Sequence, residues 1–142
     1  MIRVLQEFDL TVVMQIWLTT NIRAHDFIPK EYWTDNYKTV KNILPQAEVY
    51  VYEDNHTKQI NGFIGLTNDY IAGIFIKHTA QSKGIGKQLL DFVKERKPKL
   101  SLHVYEKNMR AVKFYQREQF IIQSENIEKV TNEKELKMVW NK

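Results

Sequence analysis

The spacing of hydrophobic and polar positions predicts two helices in the first third of the chain. After a short strand at residues 2–5, apolar side chains recur every three or four residues over 8–24 and again over 29–45. This is the period of a helix that buries one face. Asp9 stands where it can cap the first of these helices, and Pro45 ends the second.

The middle of the chain predicts three strands joined by tight turns. Residues 47–53 alternate apolar with polar side chains, and 60–66 form a return strand after the polar turn at 54–59. Residues 70–76 are an uncharged run of strand length, which we interpret as a strand buried on both faces.

The last part of the chain returns to alternating helices and strands. The pattern predicts a helix over 84–97, a strand over 100–105, a helix over 108–119, and a hairpin of strands 120–124 and 135–140. The central strand–helix–strand unit is long enough for a right-handed parallel crossover, and the other strands should pair antiparallel. We therefore expect an α+β fold with a mixed, mostly antiparallel sheet flanked by helices.

Length and composition exclude several classes of protein. A chain of 142 residues suits one domain over residues 1–142, and the absence of cysteine excludes disulfides, thiolate metal sites and cysteine nucleophiles. The longest uncharged stretch, 10–22, is interrupted by Thr, Gln and Asn and is shorter than the roughly 20 apolar residues of a membrane span. With no signal peptide at the start, we expect a soluble cytoplasmic protein without a membrane partner.

The positive charge is concentrated in one segment. Residues 77–117 hold eleven Lys and Arg against three Asp and Glu, a net charge of +8. The remainder holds ten against fourteen, a net charge of −4. This asymmetry indicates a local anionic ligand, and with no recognised nucleic-acid motif we do not expect DNA or RNA as a partner.

The segment 81–87 joins a predicted strand to a predicted helix and contains Gly84 and Gly86. Unpaired N–H groups in a first helical turn, with glycines that let the backbone approach a ligand, form a pyrophosphate cradle. Lys83 and Lys87 add positive charge there. The alternative is an ordinary loop, since both the Walker pattern and a third glycine are missing.

One strand later, a helix that begins at Asn108 carries a second group of candidate residues. Ala111 and Tyr115 fall on the same helical stripe as Asn108, so a small side chain and a phenol share one face. The alternative for Tyr115 is a core aromatic with its hydroxyl at the rim.

Two motifs in this order resemble the GNAT superfamily of acetyl-CoA-dependent N-acetyltransferases. They are Gln81-x-x-Gly84-x-Gly86 and Asn108-x-x-Ala111-x-x-Phe114-Tyr115 with Phe120 behind it. The aromatic segment that includes Trp17, 24–28 and Tyr32-Trp33 also resembles the YjaB-like branch of small bacterial GNAT proteins.

The resemblance implies acetyl-CoA as co-substrate and direct acetyl transfer to a primary amine of a small molecule or peptide, in a ternary complex. It implies that Tyr115 is the general acid and that a backbone N–H near Ile76 stabilises the oxyanion. The implied cofactor-binding residues are Ile74, Phe75, Ile76, Gln81, Ser82, Lys83, Gly84, Ile85, Gly86, Lys87, Asn108, Ala111, Phe114 and Tyr115.

The chain departs from the family pattern in two places. The central strand contains no carboxylate to act as a base, so His25, His103 and Asp69 are the candidates, directly or through water. Alternatively, His25 interacts with a helix C-terminus and His103 faces solvent. Gln119 stands where the family usually has a glycine, which puts the local turn in question.

Other functions stay open at this point. The missing strand carboxylate leaves a non-catalytic acyl-CoA-binding sensor on the same fold as the alternative. No His and carboxylate residues have the spacing of a metal site, so we expect no metal. The aromatic residues of the first two helices either pack on the sheet or line the acceptor pocket, and the chain is a monomer or a homodimer.

Overall fold

The computed structural model describes residues 1–142 and contains the helices and strands in the predicted order. The elements are β1 (Ile2–Val4), α1 (Leu10–Ala24), α2 (Lys30–Ile43), β2 (Glu48–Glu53), β3 (Ile60–Thr67), β4 (Tyr70–Ile76), α3 (Ile85–Lys94), β5 (Lys99–Tyr105), α4 (Met109–Arg117), β6 (Ile121–Ile127) and β7 (Lys134–Asn141). No helix is long and apolar enough to cross a membrane.

All seven strands form one sheet in the order β1-β2-β3-β4-β5-β7-β6. Only β4 and β5 run parallel, and every other pair is antiparallel. The α3 crossover supplies the length that a parallel connection needs. The predicted α+β fold with a mixed, mostly antiparallel sheet is confirmed.

The helices bury their apolar faces on opposite sides of this sheet. On one side, α3 packs with Leu89 and Val93 on the strands, and Tyr115 of α4 joins the same cluster. On the other side, α1 and α2 pack with Trp17 and Trp33 against β2 and β3. The sheet is therefore covered by one helix pair on each face.

The strand β4 leaves its neighbour β5 after a short contact. The two strands pair only at Tyr70 with Ser101 and at Ile71 with Leu102. Towards β3, the register skips one residue between Ile71 and Gly73, a β-bulge that bends the strand. The remainder of β4 therefore lines an opening between the two halves of the sheet.

This opening corrects the expectation that residues 70–76 are buried on both faces. Ile71 is the only buried residue of β4, and the residues after the bulge are half-buried. The apolar run of β4 is buried only where the strand has both β3 and β5 beside it. Beyond the bulge, the same apolar side chains line an accessible cleft.

Asp9 lies at the start of α1 as expected, but its carboxylate does not cap that helix. It accepts hydrogen bonds from the Gln6 N–H at 2.8 Å and from the guanidinium of Arg3 at 2.7 and 3.0 Å. Asp9 is 3% exposed. The carboxylate therefore fastens β1 to the turn that leads into α1.

Candidate active site

The loop between β4 and α3 presents a run of free backbone amides. The N–H groups of residues 82–87 donate to no acceptor in the protein. Ser82 and Gly84 both adopt left-handed conformations, with φ of 64° and 83°. Left-handed residues at a turn can direct successive N–H groups to one side, as in backbone anion sites. The loop therefore has the free backbone donors that the predicted cradle requires.

Gly86 has a different role from Gly84 in this loop. A Cβ atom on Gly86 would meet the ring of Phe114 at 3.4 Å, whereas one on Gly84 would meet nothing within 4 Å. Gly86 thus lies against the Phe114 ring of α4, at a distance where a Cβ atom would make ordinary van der Waals contact. Gly84 is required for its backbone angle.

The cations around the loop are Lys83, Lys87 and Arg110, and only the last was not expected from the sequence. Lys87 is exposed and forms surface ion pairs with Glu118 at 3.0 Å and Asp91 at 3.3 Å. Lys83 has no ion pair. Arg110, which the sequence analysis passed over, donates to Gln81 Oε1 at 2.7 Å and to Ser82 Oγ at 3.0 Å. The signal that could have identified Arg110 is a cation in the first turn of α4, two residues after Asn108.

The amide of Gln81 connects this loop to both neighbouring elements. Its Nε2 donates to the carbonyl oxygen of Ile76 at 3.0 Å, while its Oε1 accepts from Arg110. The end of β4 and the first turn of α4 are thereby held on either side of the free amides. This arrangement preorganises the loop before any anion binds.

Tyr115 is buried in α4 with an unusual hydroxyl. The residue is 7% exposed, and its Oη makes no hydrogen bond within the protein. The hydroxyl still touches solvent, because the one fully enclosed side-chain polar atom without a partner is Nε1 of Trp33. Burial raises the pKa of Tyr115, and the neighbouring Tyr70 adds to this shift. The phenol is therefore protonated at neutral pH and free to donate.

The turn after α4 fixes the ring of Tyr115. Gln119 adopts the left-handed conformation with φ of 74°. The Phe120 N–H donates to the carbonyl of Tyr115 at 3.0 Å and the Gln119 N–H to that of Gln116 at 3.1 Å, which together form a Schellman motif. Phe120 also packs on the Tyr115 ring at 5.6 Å between centroids. The turn expected for glycine is thus kept by a glutamine.

Asn108 caps α4 and meets one of the candidate histidines. Its Oδ1 accepts from the N–H of Ala111 at 3.3 Å, and its Nδ2 lies 3.2 Å from Nε2 of His25. The other ring nitrogen of His25 lies 3.1 Å from the carbonyl oxygen of Asn21. The structure therefore brings His25 to the predicted cofactor site, with both of its nitrogens engaged.

Some aromatic residues of the first two helices and their connection pack in the core, and others surround His25. Trp17 and Trp33 are buried in the core, as most of this set was expected to be. Trp33 also stacks on His25 at 5.1 Å, and Phe27 meets His25 and Tyr105 edge to face at 5.7 Å. Phe27 thus belongs to a ring of aromatic side chains around the histidine.

The other two base candidates lie away from the loop. His103 is exposed on β5 and shares a hydrogen bond of 2.9 Å between its Nδ1 and the hydroxyl of Tyr70. Asp69 lies in the turn before β4, at the end of that strand opposite the free amides. His103 is thereby connected to the neighbourhood of Tyr115, whereas Asp69 is not.

The face of β5 and β7 opposite α3 carries polar side chains that the sequence analysis did not single out. Leu136 and Met138 point into the core beneath α3, so Glu135 points the other way, beside its register partner Tyr105. Glu135 is half-buried, has no ion pair, and accepts a hydrogen bond from Asn126 at 3.0 Å. This carboxylate places a local negative charge beside Tyr105, while Lys137 lies two positions further along the same face of β7.

Three tyrosines from different elements lie close enough to Glu135 to be affected by its charge, and Tyr105 is its register partner. Burial raises the pKa of Tyr32, Tyr70 and Tyr105, the last to about 12, and the charge of Glu135 adds to each shift. A half-buried carboxylate near protonated phenols is a suitable environment for a cation.

A family model for the acetyltransferase (GNAT) domain matches residues 45–122, more than half of the chain. The chain belongs to the GNAT acetyltransferase family. Peptidyl-lysine N-acetyltransferase YiaC of Escherichia coli K12 is 35% identical over 124 residues, which cover 86% of this GNAT chain and 84% of YiaC. Peptidyl-lysine N-acetyltransferase YjaB of the same organism is 30% identical over 105 residues, 74% and 71% of the two chains.

Solved structures share the fold of this chain. The apo form of E. coli YjaB superimposes with a TM-score of 0.87 at 25% identity, covering 99% of this GNAT chain and 96% of YjaB. The PaiA N-acetyltransferase of Thermoplasma acidophilum, solved with coenzyme A, shares the fold with a TM-score of 0.80 at 18% identity, covering 100% and 98%. The expected family, fold and N-acetyltransferase activity with acetyl-CoA are confirmed, and a non-catalytic sensor is not favoured.

Proposed function

We propose that this GNAT protein acetylates the ε-amino group of lysine residues in peptides or proteins. The observation that carries the proposal is the unpaired carboxylate of Glu135 near three tyrosines, on the sheet face opposite α3. An ammonium group fits this environment, and a long, flexible lysine side chain can reach it from an accessible surface. The names of YiaC and YjaB as peptidyl-lysine N-acetyltransferases support the same acceptor.

The donor side of the proposed site, where acetyl-CoA would bind, consists of chain segments that suit an elongated phosphorylated ligand. Acetyl-CoA supplies an acetyl group already activated as a thioester. We propose that the free amides of residues 82–87, with Lys83 and Arg110, hold its phosphates. The unpaired part of β4, Asn108 and Phe114 would hold its arm in the opening towards β5.

Tyr115 is the proposed general acid. Its Oη holds a proton at neutral pH, as an ordinary phenol does, and burial raises its pKa further. The hydroxyl has no competing acceptor in the protein. A phenol at this position can protonate the departing thiolate, whose ordinary pKa is about 8.5. The Schellman turn and Phe120 restrain its ring, so the proton is held at a defined place.

For the base, we propose that His103 acts through Tyr70. The ring Nε2 of His103 makes no hydrogen bond within the protein, while its Nδ1 is tied to the Tyr70 hydroxyl. A proton leaving the acceptor ammonium can pass along this pair to solvent. The alternative base from the sequence, His25, has both nitrogens engaged.

The acceptor is tested with acetyl-CoA and a panel of lysine peptides, with released thiol and acetyl-lysine as readouts. We expect turnover on lysine peptides, and none on the same peptides with the ε-amine blocked. Glu135→Gln should raise the peptide KM about tenfold, since it removes one charge–charge contact. Glu133→Gln is the matched control, because that carboxylate is paired with Lys107. Equal effects of both substitutions, or turnover only on free small amines, would contradict the proposal.

The acid is tested by Tyr115→Phe, with Tyr52→Phe on β2 as control. We expect a fall in kcat of roughly 10²-fold with little change in either KM, because only a proton donor is lost. A Tyr115→Phe protein with the kcat of the Tyr52→Phe control would exclude a catalytic phenol.

A further inference from the structure

His25 and Asn108 join the corner after α1 to the beginning of α4. His25 is the residue at which α1 ends, and Asn108 is the residue that caps α4. Their contact, at 3.2 Å between Nε2 and Nδ2, spans 83 positions of the sequence. Long-range contacts between polar side chains are uncommon in proteins compared with contacts to backbone. This one therefore requires an explanation.

The hydrogen-bond partners determine where each proton lies. The Asn21 carbonyl can only accept, so Nδ1 of His25 carries the ring proton and donates to it. Nε2 is then an acceptor, and the amide nitrogen of Asn108 donates to it. The amide oxygen of Asn108 accepts from the Ala111 N–H. Donors and acceptors alternate without conflict along the whole chain of contacts.

This arrangement fixes the amide of Asn108 in one of its two flipped orientations. The amide oxygen is used by the helix cap, and one Nδ2 hydrogen is used by His25. The second Nδ2 hydrogen has no acceptor in the protein. It is an oriented donor at the beginning of α4, beside the opening between β4 and β5.

The ring of His25 is itself held in place. Trp33 stacks on it at 5.1 Å with 25° between the planes, and Phe27 and Tyr105 meet it edge to face at 5.7 and 5.2 Å. Burial lowers the pKa of His25 and favours the neutral ring that can accept from Asn108. Because the His25 ring is already fixed in this position, ligand binding does not have to pay the entropy cost of ordering it.

We propose that His25 is a positioning residue for acetyl-CoA, which orients the Asn108 amide so that its second Nδ2 hydrogen donates to the cofactor arm. The proposal rests on the donor side of the proposed function and not on lysine as the acceptor. His25 touches neither the acetyl group nor the amine. It acts through Asn108, and its loss should therefore affect cofactor affinity before it affects chemistry.

The test measures CoA binding by calorimetry in the absence of an acceptor, so that it is independent of the lysine proposal. His25→Phe keeps an aromatic ring against Trp33 but removes the acceptor for Asn108. We expect about tenfold weaker CoA binding, the effect of one misplaced hydrogen bond. With acetyl-CoA, the KM should rise by a similar factor while kcat at saturation stays close to wild type.

A double-mutant cycle separates positioning from general damage. In an Asn108→Ala background, His25→Phe should change the Kd for CoA by less than about twofold, because the group it orients is gone. Additive losses in the double variant, or an unchanged Kd in His25→Phe, would overturn the proposal. A wild-type protein that binds no CoA would instead overturn the donor side of the proposed function.

Two further variants keep the test decisive if His25→Phe does not fold. His25→Gln places an amide oxygen near the position of Nε2 and should retain most of the affinity. His25→Asn is too short to reach Asn108 and should bind CoA about as weakly as Asn108→Ala. The reverse order, or equal affinities for these two variants, would contradict the positioning role.

Discussion

The left-handed glutamine after α4 allows a prediction whose sign and size both follow from the structure. Gln119 adopts φ of 74°, a region that L-residues enter at a cost and that glycine enters freely. Its side chain is exposed and makes only a long contact of 3.4 Å with the carbonyl of Arg117. Gln119→Gly therefore removes backbone strain and almost no side-chain interaction.

The expected gain is the strain released minus the extra freedom that glycine has when unfolded. Left-handed backbone costs an L-residue about 1–2 kcal/mol, and glycine loses about 0.5–1 kcal/mol more entropy on folding. The difference is about 0.5–1 kcal/mol in favour of glycine. For a chain of 142 residues, unfolding entropy is about 0.3 kcal/mol per kelvin, so Tm should rise by roughly 2–3 °C.

The measurement is thermal and urea unfolding, with Gln116→Gly as the matched control. Gln116 is an exposed glutamine within α4, only three positions earlier, where the same substitution should cost about 1 kcal/mol. The two variants must therefore shift Tm in opposite directions. A Gln119→Gly protein that is destabilised like the control would refute the role assigned to the left-handed turn.

Three further predictions follow from other contacts. In calorimetric titrations, Lys83→Ala should weaken CoA binding several-fold, and the loss should be larger at low salt than at high salt. The control Lys99→Ala, at the far end of β5, should have little effect. Gly84→Ala should lower the free energy of unfolding by about 1 kcal/mol, since φ of 83° strains any Cβ while no neighbour lies within 4 Å; urea melts will check this. Burial alone would raise the pKa of Asp9, but hydrogen bonds from Arg3 and the Gln6 N–H hold it below its ordinary value. Stability from Asp9 is therefore complete above about pH 4 and lost as pH falls further, and Asp9→Asn should flatten that part of the stability profile.

The sequence was sufficient to predict the helices and strands, because these depend on the local pattern of apolar and polar residues. Helical and strand periods place every helix and strand in order. The two glycines and Tyr115 were sufficient to propose both sides of the cofactor site. Backbone conformation at a turn is also local, which explains why free amides at 82–87 could be expected from the residue types there. These features need no knowledge of distant partners.

Features that depend on distant partners were not accessible in this way. The pairing of Lys87 with Glu118 spans 31 positions, and that of His25 with Asn108 spans 83. The alternation of β5 correctly placed His103 opposite Leu102 and Val104, but its partner Tyr70 depends on the register of two strands. The apolar run of β4 suggested full burial because composition does not reveal where a neighbouring strand departs.

The departure of β5 from β4 creates an exposed strand edge in the interior of the sheet. Sheet edges usually lie at the periphery, where an unpaired row of N–H and C=O groups can recruit another chain and cause aggregation. Here the row after Ile71 lies between two halves of the sheet, each covered by helices. A narrow, extended ligand able to pair with backbone would occupy this edge as an additional strand does and would complete the sheet.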